Sequence, residues 1–119
     1  MNRLDGKVAL ITGSGGALFD SEFGLGFGGS SAFRFCQEGA TVIVSDINDD
    51  IGQQFTEELR EKGFNAHYKH LDTTNETEWK KTIDWIEKDF GKLDILVNNA
   101  GIAIRGHVLD TNESDWDKV

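Results

Sequence analysis

The sequence predicts an α/β fold, a Rossmann-like doubly wound parallel sheet. Four short strand-like runs alternate with three helical patterns along the 119 residues, and three of the runs are almost wholly apolar. Apolar runs of this kind are typical of parallel strands that helices cover on both faces. Right-handed crossovers then place the strands side by side in the order 3-2-1-4.

The four predicted strands are rich in aliphatic and β-branched residues, which favour extended backbone. They span residues 8–12, 41–45, 66–71 and 93–97. The third run contains His, Tyr and Lys, so we expect it at an edge of the sheet. The other three are expected to be covered on both faces.

The first two predicted helices end at glycines, because glycine readily adopts the left-handed backbone that follows a helix. The first helix spans residues 30–38 and ends before Gly39. The second spans residues 49–62, with Asn48 as its N-terminal cap and Gly63 after its end. Short helices with clear ends fit the connections of a doubly wound sheet.

A third helix is predicted at residues 76–90, and a fourth begins near Glu113. Asn75 followed three residues later by Glu78 resembles a capping box at the start of the third helix. The fourth pattern stops after about two turns. We therefore expect a sheet truncated after the fourth strand and the start of the fourth helix. Its uncovered outer edge would favour self-association.

Charge and composition limit the partners that the chain can bind. It carries 21 acidic and 12 basic residues, a net charge of −9 at pH 7. Nucleic acid requires clustered Lys and Arg, so we expect no nucleic-acid partner. No apolar stretch reaches the roughly 18 residues of a membrane span, so no membrane partner is expected. The single cysteine, Cys36, cannot form an internal disulfide, which favours a cytoplasmic location.

A glycine-rich segment follows the first strand and predicts a phosphate site. Thr12-Gly13 ends the strand, and Gly26-Phe27-Gly28 comes before the first predicted helix. Backbone N–H groups at a helix N-terminus attract phosphate, and glycines let a pyrophosphate approach closely. A flexible surface loop is the alternative interpretation.

Asp46 ends the second strand, 18 residues after Gly28. A carboxylate at this point can accept hydrogen bonds from both hydroxyls of an adenosine ribose, and it would repel the 2′-phosphate of NADP. No Lys or Arg occurs at positions 45–50 to neutralise that phosphate. Asp46 therefore favours NAD over NADP, with a turn or helix-capping aspartate as the alternative interpretation.

The fourth strand leads into Asn98-Asn99-Ala100-Gly101. Doubly wound folds bind their ligands just beyond the C-terminal ends of the strands, and Ala-Gly leaves a bare backbone there. Asn-Asn is also a common turn former, which is the alternative interpretation.

Together these segments resemble the short-chain dehydrogenase/reductase family. The resemblance rests on the opening residues 4–13, the Thr-Gly and Gly-x-Gly pairs, Asp46, Asp72 and the Asn-Asn-Ala-Gly segment. The end of the first helix and the last four residues are also similar to the family pattern. The resemblance implies hydride transfer between nicotinamide and an alcohol or carbonyl substrate. The chain would be the N-terminal part of a single dinucleotide-binding domain over residues 1–119, with homo-oligomer formation left open.

The residues that the family motifs assign to NAD all lie at or beyond the C-terminal ends of the predicted strands. They are Gly13, Ser14, Gly26 and Gly28 for the pyrophosphate turn, Asp46 and Ile47 for the adenosine ribose, Asp72 and Thr73 for the adenine edge, and Asn98, Asn99, Ala100 and Gly101, which would border the ribose and brace the sheet.

The glycine segment departs from the family in length. The family separates Thr-Gly from Gly-x-Gly by three residues, whereas this chain carries an atypical insertion around residues 17–25. Gly24 and Gly26 are an alternative choice for the second pair. Because Asp20 and Glu22 would repel a pyrophosphate, three interpretations stay open: a surface excursion that leaves the site intact, a lid over the cofactor, or a disruption that weakens binding.

The catalytic residues of the family are not found in this chain. The resemblance implies a catalytic Tyr, a Lys four residues later, a preceding Ser and an Asn on the fourth helix. The single tyrosine, Tyr68, lies on the third strand and is followed at position 72 by Asp. We therefore assign no catalytic residue and expect the chain alone to be inactive. A nucleotide-binding or regulatory module without catalysis is the alternative function.

The three histidines do not predict a metal site. His67, His70 and His107 lack the spacing of a His, Cys or carboxylate ligand set. His67 and His70 lie three apart on one predicted strand, so their side chains should point to opposite faces of the sheet. Surface or packing roles are expected for all three.

Overall fold

The computed structural model of the chain describes residues 2–101. Its elements are β1 (Val8–Ile11), α1 (Gly26–Gln37), β2 (Thr41–Asp46), α2 (Asp49–Glu61), β3 (Ala66–His70), α3 (Glu76–Phe90) and β4 (Ile95–Val97). The four strands form one parallel sheet in the order β3-β2-β1-β4. The predicted fold class, strand order and edge position of β3 are confirmed. The fourth helix predicted near Glu113 lies outside the described residues.

Alternate side chains of the central strands enter two separate cores. Ile11, Val42 and Val44 face α1 and α2, and they pack with Phe55 and Leu59 of α2 in one buried cluster. A second cluster, on the other face, contains Val8, Leu10 and Ile43 from the sheet and Ile86 from α3. The continuous apolar sequence of β1 and β2 thus reflects burial on both faces, as expected for central parallel strands.

The strand β4 is less covered than its apolar sequence predicts. Within residues 2–101 it pairs only with β1, through Ile95, Leu96 and Val97. The side chain of Leu96 is 44% exposed, and its two neighbours are half-buried. Burial of β4 on both faces, expected from the sequence, is therefore not met by the described part of the chain.

The helix α1 begins four residues earlier than predicted. Its first turn is Gly26-Phe27-Gly28-Gly29, and Leu25 at the cap position makes no side-chain hydrogen bond to the helix. Glycine has low helix propensity and no capping side chain marks the start, so the sequence conceals this turn. The backbone is nevertheless held because Gly28 and Gly29 are buried.

The ends of α2 and α3 follow the sequence signals with one exception. Asn48 caps α2 and Asn75 caps α3, each side chain accepting a hydrogen bond from a backbone N–H of the first turn. A capping box also requires the Glu78 side chain to accept a hydrogen bond from the N–H of Asn75, and this part of the prediction is wrong. Instead of returning to Asn75, the Glu78 carboxylate accepts a hydrogen bond from the N–H of Asp72 at 3.2 Å. Asn75 N–H donates to the carbonyl of Asp72, so it has no need of Glu78.

Cys36 occupies the buried side of α1, as its sequence position suggests. It is 4% exposed, and burial raises the pKa of its thiol to about 12. Such a thiol stays protonated and unreactive at neutral pH. No helix in residues 2–101 is long and apolar enough to cross a membrane.

Candidate functional site

A cleft of about 440 Å³ opens where all four strands end. Each strand contributes residues from the loop that follows it, which is the position of ligand sites in doubly wound folds. The lining residues are Gly13 after β1, Asp46 and Ile47 at the end of β2, Leu71, Asp72, Thr73 and Thr74 after β3, and Asn99, Ala100 and Gly101 after β4.

Most of the residues predicted to bind the cofactor therefore come together in one cleft. Leu71 and Thr74 line it as well, although the sequence analysis did not include them. Both directly flank the predicted pair Asp72-Thr73, and their adjacency in sequence was the only signal for them. Leu71 is 2% exposed, so its contribution is an apolar floor rather than a polar contact.

Four predicted residues do not line the cleft: Ser14, Gly26, Gly28 and Asn98. Ser14 is 1% exposed, and its hydroxyl donates to the carbonyl of Ile11 at 2.7 Å and accepts from the N–H of Ser45 at 3.3 Å. In this structure the Ser14 side chain joins β1 to β2. Gly26 begins α1, and Gly28 lies behind the cleft wall against Asn99. Asn98, which precedes Asn99 in the chain, is exposed.

Thr12 and Asn99 hold the ends of β1 and β4 together. The Thr12 hydroxyl accepts hydrogen bonds from the N–H groups of Asn99 and Ala100, both at 3.0 Å. The Asn99 side-chain amide donates to the carbonyls of Thr12 and Gly13, at 3.1 and 3.2 Å. The resemblance implies that residues 98–101 brace the sheet, and this role stays a prediction; in the described structure Asn99 and Ala100 contact the end of β1. Thr12, 1% exposed, is an equal partner that the predicted site omitted.

Two glycines allow this wall to close. A Cβ on Gly13 would lie 2.7 Å from the Cα of Ala100, and its φ of +64° is one that other residues rarely adopt. A Cβ on Gly28 would lie 2.7 Å from the carbonyl oxygen of Gly13 and would also overlap the side-chain amide of Asn99. Gly13 and Gly28 therefore allow α1 to pack closely against the end of β1, and this structural role does not depend on a bound phosphate.

Asp46 is at once a turn residue and part of the cleft wall. One carboxylate oxygen accepts from the N–H of Ile47 at 2.8 Å and of Asn48 at 3.2 Å, and the other accepts from the N–H of Gly15 at 3.2 Å. A carboxylate oxygen has more than one lone pair, so the oxygen bonded only to Gly15 can still accept a hydroxyl. The turn and ribose interpretations of Asp46 are thus compatible. Gly15, which does not itself line the cleft, is a further partner of Asp46 that the sequence did not predict.

The loop after β3 is fixed by its own hydrogen bonds. Asp72 accepts from the Thr74 hydroxyl at 2.7 Å and from the Thr74 N–H at 2.9 Å, and these bonds lower the pKa of the Asp72 carboxyl. The Trp79 indole N–H of α3 donates to the carbonyl of Thr73 at 2.9 Å. Asp72 is therefore ionised at neutral pH, and the loop is tied to α3.

The inserted segment 17–25 lies against the helices, away from the cleft. The Phe19 ring packs edge-on against Phe33 of α1, at 5.0 Å between ring centroids, and in a tilted arrangement against Phe55 of α2, at 5.6 Å. Its N–H donates to the Glu58 carboxylate at 3.2 Å. None of residues 17–25 lines the cleft, and Asp20 and Glu22 are exposed. This arrangement favours a surface excursion over a lid or a disruption.

The only tyrosine is occupied by structural contacts. Its hydroxyl lies 2.7 Å from an Asp49 carboxylate oxygen and 2.9 Å from the carbonyl oxygen of Asp46, and its single proton is shared between these two acceptors. Burial, followed by the neighbouring Asp49 carboxylate, raises the pKa of Tyr68 far above its usual value. Tyr68 is not among the cleft residues and holds a proton too firmly for acid–base work near neutral pH. Within residues 2–101 no three His, Cys, Asp or Glu side chains are arranged to hold a metal ion.

Comparison with known proteins gives one consistent family. The family described as short chain dehydrogenase matches residues 7–119. Cyclopentanol dehydrogenase of Comamonas testosteroni is 40% identical over 119 residues, which cover 100% of this chain and 44% of that protein. The chain thus spans less than half the length of the curated relatives it matches.

Solved structures agree with the sequence match. A short chain dehydrogenase from Mycobacterium smegmatis superposes with a TM-score of 0.86 at 30% identity, over 100% of this chain and 47% of that one. A short chain dehydrogenase from Burkholderia cenocepacia J2315, in complex with NADP, gives a TM-score of 0.82 at 31% identity, over 98% of this chain and 44% of that one.

Proposed function

The chain belongs to the short-chain dehydrogenase family, and we propose that it is the NAD(H)-binding part of an oxidoreductase of that family. Members of the family bind nicotinamide dinucleotide cofactors. The observation that carries the proposal is the cleft at the strand ends, with Asp46 on one wall and the Asn99-Ala100-Gly101 backbone on the other.

The proposed contacts follow from the chemistry of the cleft. The adenosine ribose would donate hydrogen bonds to the Asp46 carboxylate, and adenine would lie against Asp72 and Thr73. The pyrophosphate would meet the Gly13 backbone and the N-terminus of α1, where N–H groups attract anions. When bound, the cofactor supplies the hydride chemistry, and the residues of this chain supply binding and orientation.

We propose NAD rather than NADP as the preferred cofactor. A 2′-phosphate would face the Asp46 carboxylate, and no Lys or Arg lines the cleft in the described part of the chain. The relative from Burkholderia cenocepacia was solved with NADP, so the family itself does not decide between the two cofactors. The charge of Asp46 is the feature that supports NAD here.

For the whole protein we propose hydride transfer between nicotinamide and an alcohol or carbonyl substrate. The name of the Comamonas relative specifies an alcohol, cyclopentanol, which supports this reaction class. The proposed partners are thus the dinucleotide and a small molecule. The proposed location is cytoplasmic. Formation of a homo-oligomer is compatible with binding of both partners. Turnover of an alcohol by a protein containing this chain separates this function from a nucleotide-binding module without catalysis.

The proposal is tested by calorimetric titration of the chain with NAD and with NADP, alongside Asp46→Asn. Asparagine keeps one oxygen for the turn but removes the charge. We expect the wild-type chain to bind NAD more tightly than NADP. The variant should bind NAD about tenfold more weakly, as expected when a hydrogen bond to a charged group is lost, and should lose its discrimination against NADP.

Asp50→Asn is the matched control. Asp50 lies in the first turn of α2, is exposed, and does not line the cleft. Removal of its charge should leave both affinities unchanged. If the folded wild-type chain binds neither dinucleotide, the proposed cofactor is wrong while the fold stands.

A further inference from the structure

His70, the last residue of β3, lies between two carboxylates from different helices. Its Nδ1 is 2.7 Å from an oxygen of Asp49, the first residue of α2, and its Nε2 is 3.3 Å from an oxygen of Glu78 in the first turn of α3. The imidazole side chain is 45% exposed. His70 therefore connects the N-terminal ends of α2 and α3 across the end of the edge strand.

The hydrogen bonds that His70 can make depend on whether its ring is protonated. An ionised carboxylate can only accept hydrogen bonds, and a neutral imidazole has one donor nitrogen and one acceptor nitrogen. Only the imidazolium, which has two N–H donors, satisfies both contacts at once. Loss of the proton leaves a nitrogen lone pair facing either Asp49 or Glu78.

Both carboxylates also hold loops that line the cleft. The same oxygen of Asp49 lies 2.7 Å from the Tyr68 hydroxyl, whose single proton it shares with the carbonyl oxygen of Asp46 at 2.9 Å. The same oxygen of Glu78 accepts the N–H of Asp72 at 3.2 Å. One imidazolium therefore links the Asp46 side of the cleft to the Asp72 side.

We propose that protonated His70 is a positioning residue for the adenosine end of the dinucleotide, setting the separation of the Asp46 and Asp72 walls. This inference rests on the proposed function, because the ligand is the dinucleotide proposed above. It also makes affinity depend on pH. As the pH rises and His70 loses its proton, the link weakens and NAD binds less tightly.

The groups around His70 are mostly negative. Asp49 contacts it from α2 and Glu78 from α3, Asp46 is its register partner on β2, and Asp72 in the following loop is close enough to be affected by its charge. Hydrogen bonds from Tyr68 and then from His70 lower the pKa of Asp49. Bonds from Thr74, with a smaller effect of the His70 charge, lower the pKa of Asp72. Both acids therefore stay ionised through the range in which histidines change charge.

The test compares NAD binding by the 119-residue chain at about pH 5.5 and about pH 8.5, on either side of the usual histidine range. We expect about two- to fivefold tighter binding at the lower pH, the effect of a partly exposed ion pair. His70→Gln should bind with the weaker affinity at both pH values. His70→Arg, which keeps a permanent charge and several donors, should bind with the tighter affinity at both.

His67→Gln is the matched control on the same strand. His67 contacts Asn65, Arg60 and the Phe90 ring, and it does not line the cleft. This variant should keep the wild-type pH dependence. Wild-type binding that is independent of pH, or His70→Gln binding equal to wild type at the lower pH, would overturn the positioning role.

An NMR titration without ligand distinguishes failure of this inference from failure of the proposed function. The amide resonance of Asp72 should shift with the same midpoint as the His70 ring, and the shift should vanish in His70→Gln. If this coupling is seen but no NAD binds at any pH, the proposed function is wrong and the linked loops serve another ligand. If NAD binds without the coupling, only the role of His70 is wrong.

Discussion

Gly15 and Gly16 are adjacent in the loop after β1, yet the fold surrounds them differently. A Cβ on Gly15 would lie 2.7 Å from the Cα of Gly52 and 3.2 Å from the Cβ of Asp46. A Cβ on Gly16 would have its nearest neighbour, an Asp46 carboxylate oxygen, at 3.7 Å. Neither has a positive φ, so the difference between them is one of space alone.

We predict that Gly15→Ala is destabilising and Gly16→Ala is not. Gly15→Ala must separate the loop from α2, which should cost about 1–3 kcal/mol in free energy of unfolding, as for other overpacked sites. Gly16→Ala should change it by less than about 0.5 kcal/mol. Urea unfolding of both variants measures the difference. Equal stability would mean that Gly15 does not approach Gly52 as closely as described.

Asp46 shows how one residue can carry two roles. Its carboxylate accepts from two backbone N–H groups of the turn after β2 and from one in the loop after β1, and it still lines the cleft. From the sequence, these roles were alternatives, because spacing alone cannot say how many lone pairs of an oxygen are already used. The substitution chosen to test the cofactor therefore keeps a side-chain oxygen, so that loss of binding is not confused with loss of the turn.

At the scale of elements, the inserted segment is fixed by one aromatic side chain and exposes another. Phe19 is half-buried between α1 and α2, and the Lys62 ammonium lies 4.6 Å from the centre of its ring. Phe23, four residues later, is 93% exposed. Leu18 and Leu25 also pack against the same core. The segment thus covers the surface formed by α1 and α2.

We predict that Phe19→Ala lowers the free energy of unfolding by about 2–3 kcal/mol, somewhat less than a fully buried phenylalanine would, and that Phe23→Ala changes it by less than about 0.5 kcal/mol. Thermal and urea unfolding measure both. NAD titration of Phe23→Ala adds a second result. Unchanged affinity is expected for a surface excursion, whereas a clear loss would support the lid interpretation.

At the scale of the whole molecule, the sheet presents an open side. Among residues 2–101, β3 is the edge on one side and β4 on the other, and β4 carries the exposed Leu96. Unpaired strand edges and exposed apolar faces promote association. Phe23 and Phe27, 93% and 90% exposed, form a second candidate surface near the start of α1.

We predict that the 119 residues prepared on their own self-associate through the β4 side. Analytical ultracentrifugation should show dimers or larger species that dissociate on dilution. Leu96→Lys should shift the population toward monomer, because a charged residue on an edge strand opposes pairing. Phe23→Lys is the comparison for the second surface. A monomeric wild-type chain, or an effect of Phe23→Lys alone, would contradict the role of β4.

Local sequence patterns predicted the elements of this protein well. Apolar runs identified β1, β2 and β4, Asn48 and Asn75 identified the starts of α2 and α3, and Gly63 identified the end of α2, because these signals act within a few residues. The start of α1 was missed because its first turn contains three glycines, which give no local helix signal. The position of this first turn depends instead on close contact between Gly28 and the residues that follow β1.

The sequence by itself determined the fold class, the strand order and the strand ends that form the cleft, because hydrophobic periodicity and short connections leave few alternatives. Tertiary structure alone decided which polar groups are free to meet a ligand. Ser14 is engaged between β1 and β2, Asp46 retains capacity to accept, and His70 reaches two helices. Several of these contacts join residues far apart in the chain, such as Ser14 with Ser45, Gly15 with Asp46 and Asp49 with His70, and no local pattern encodes them.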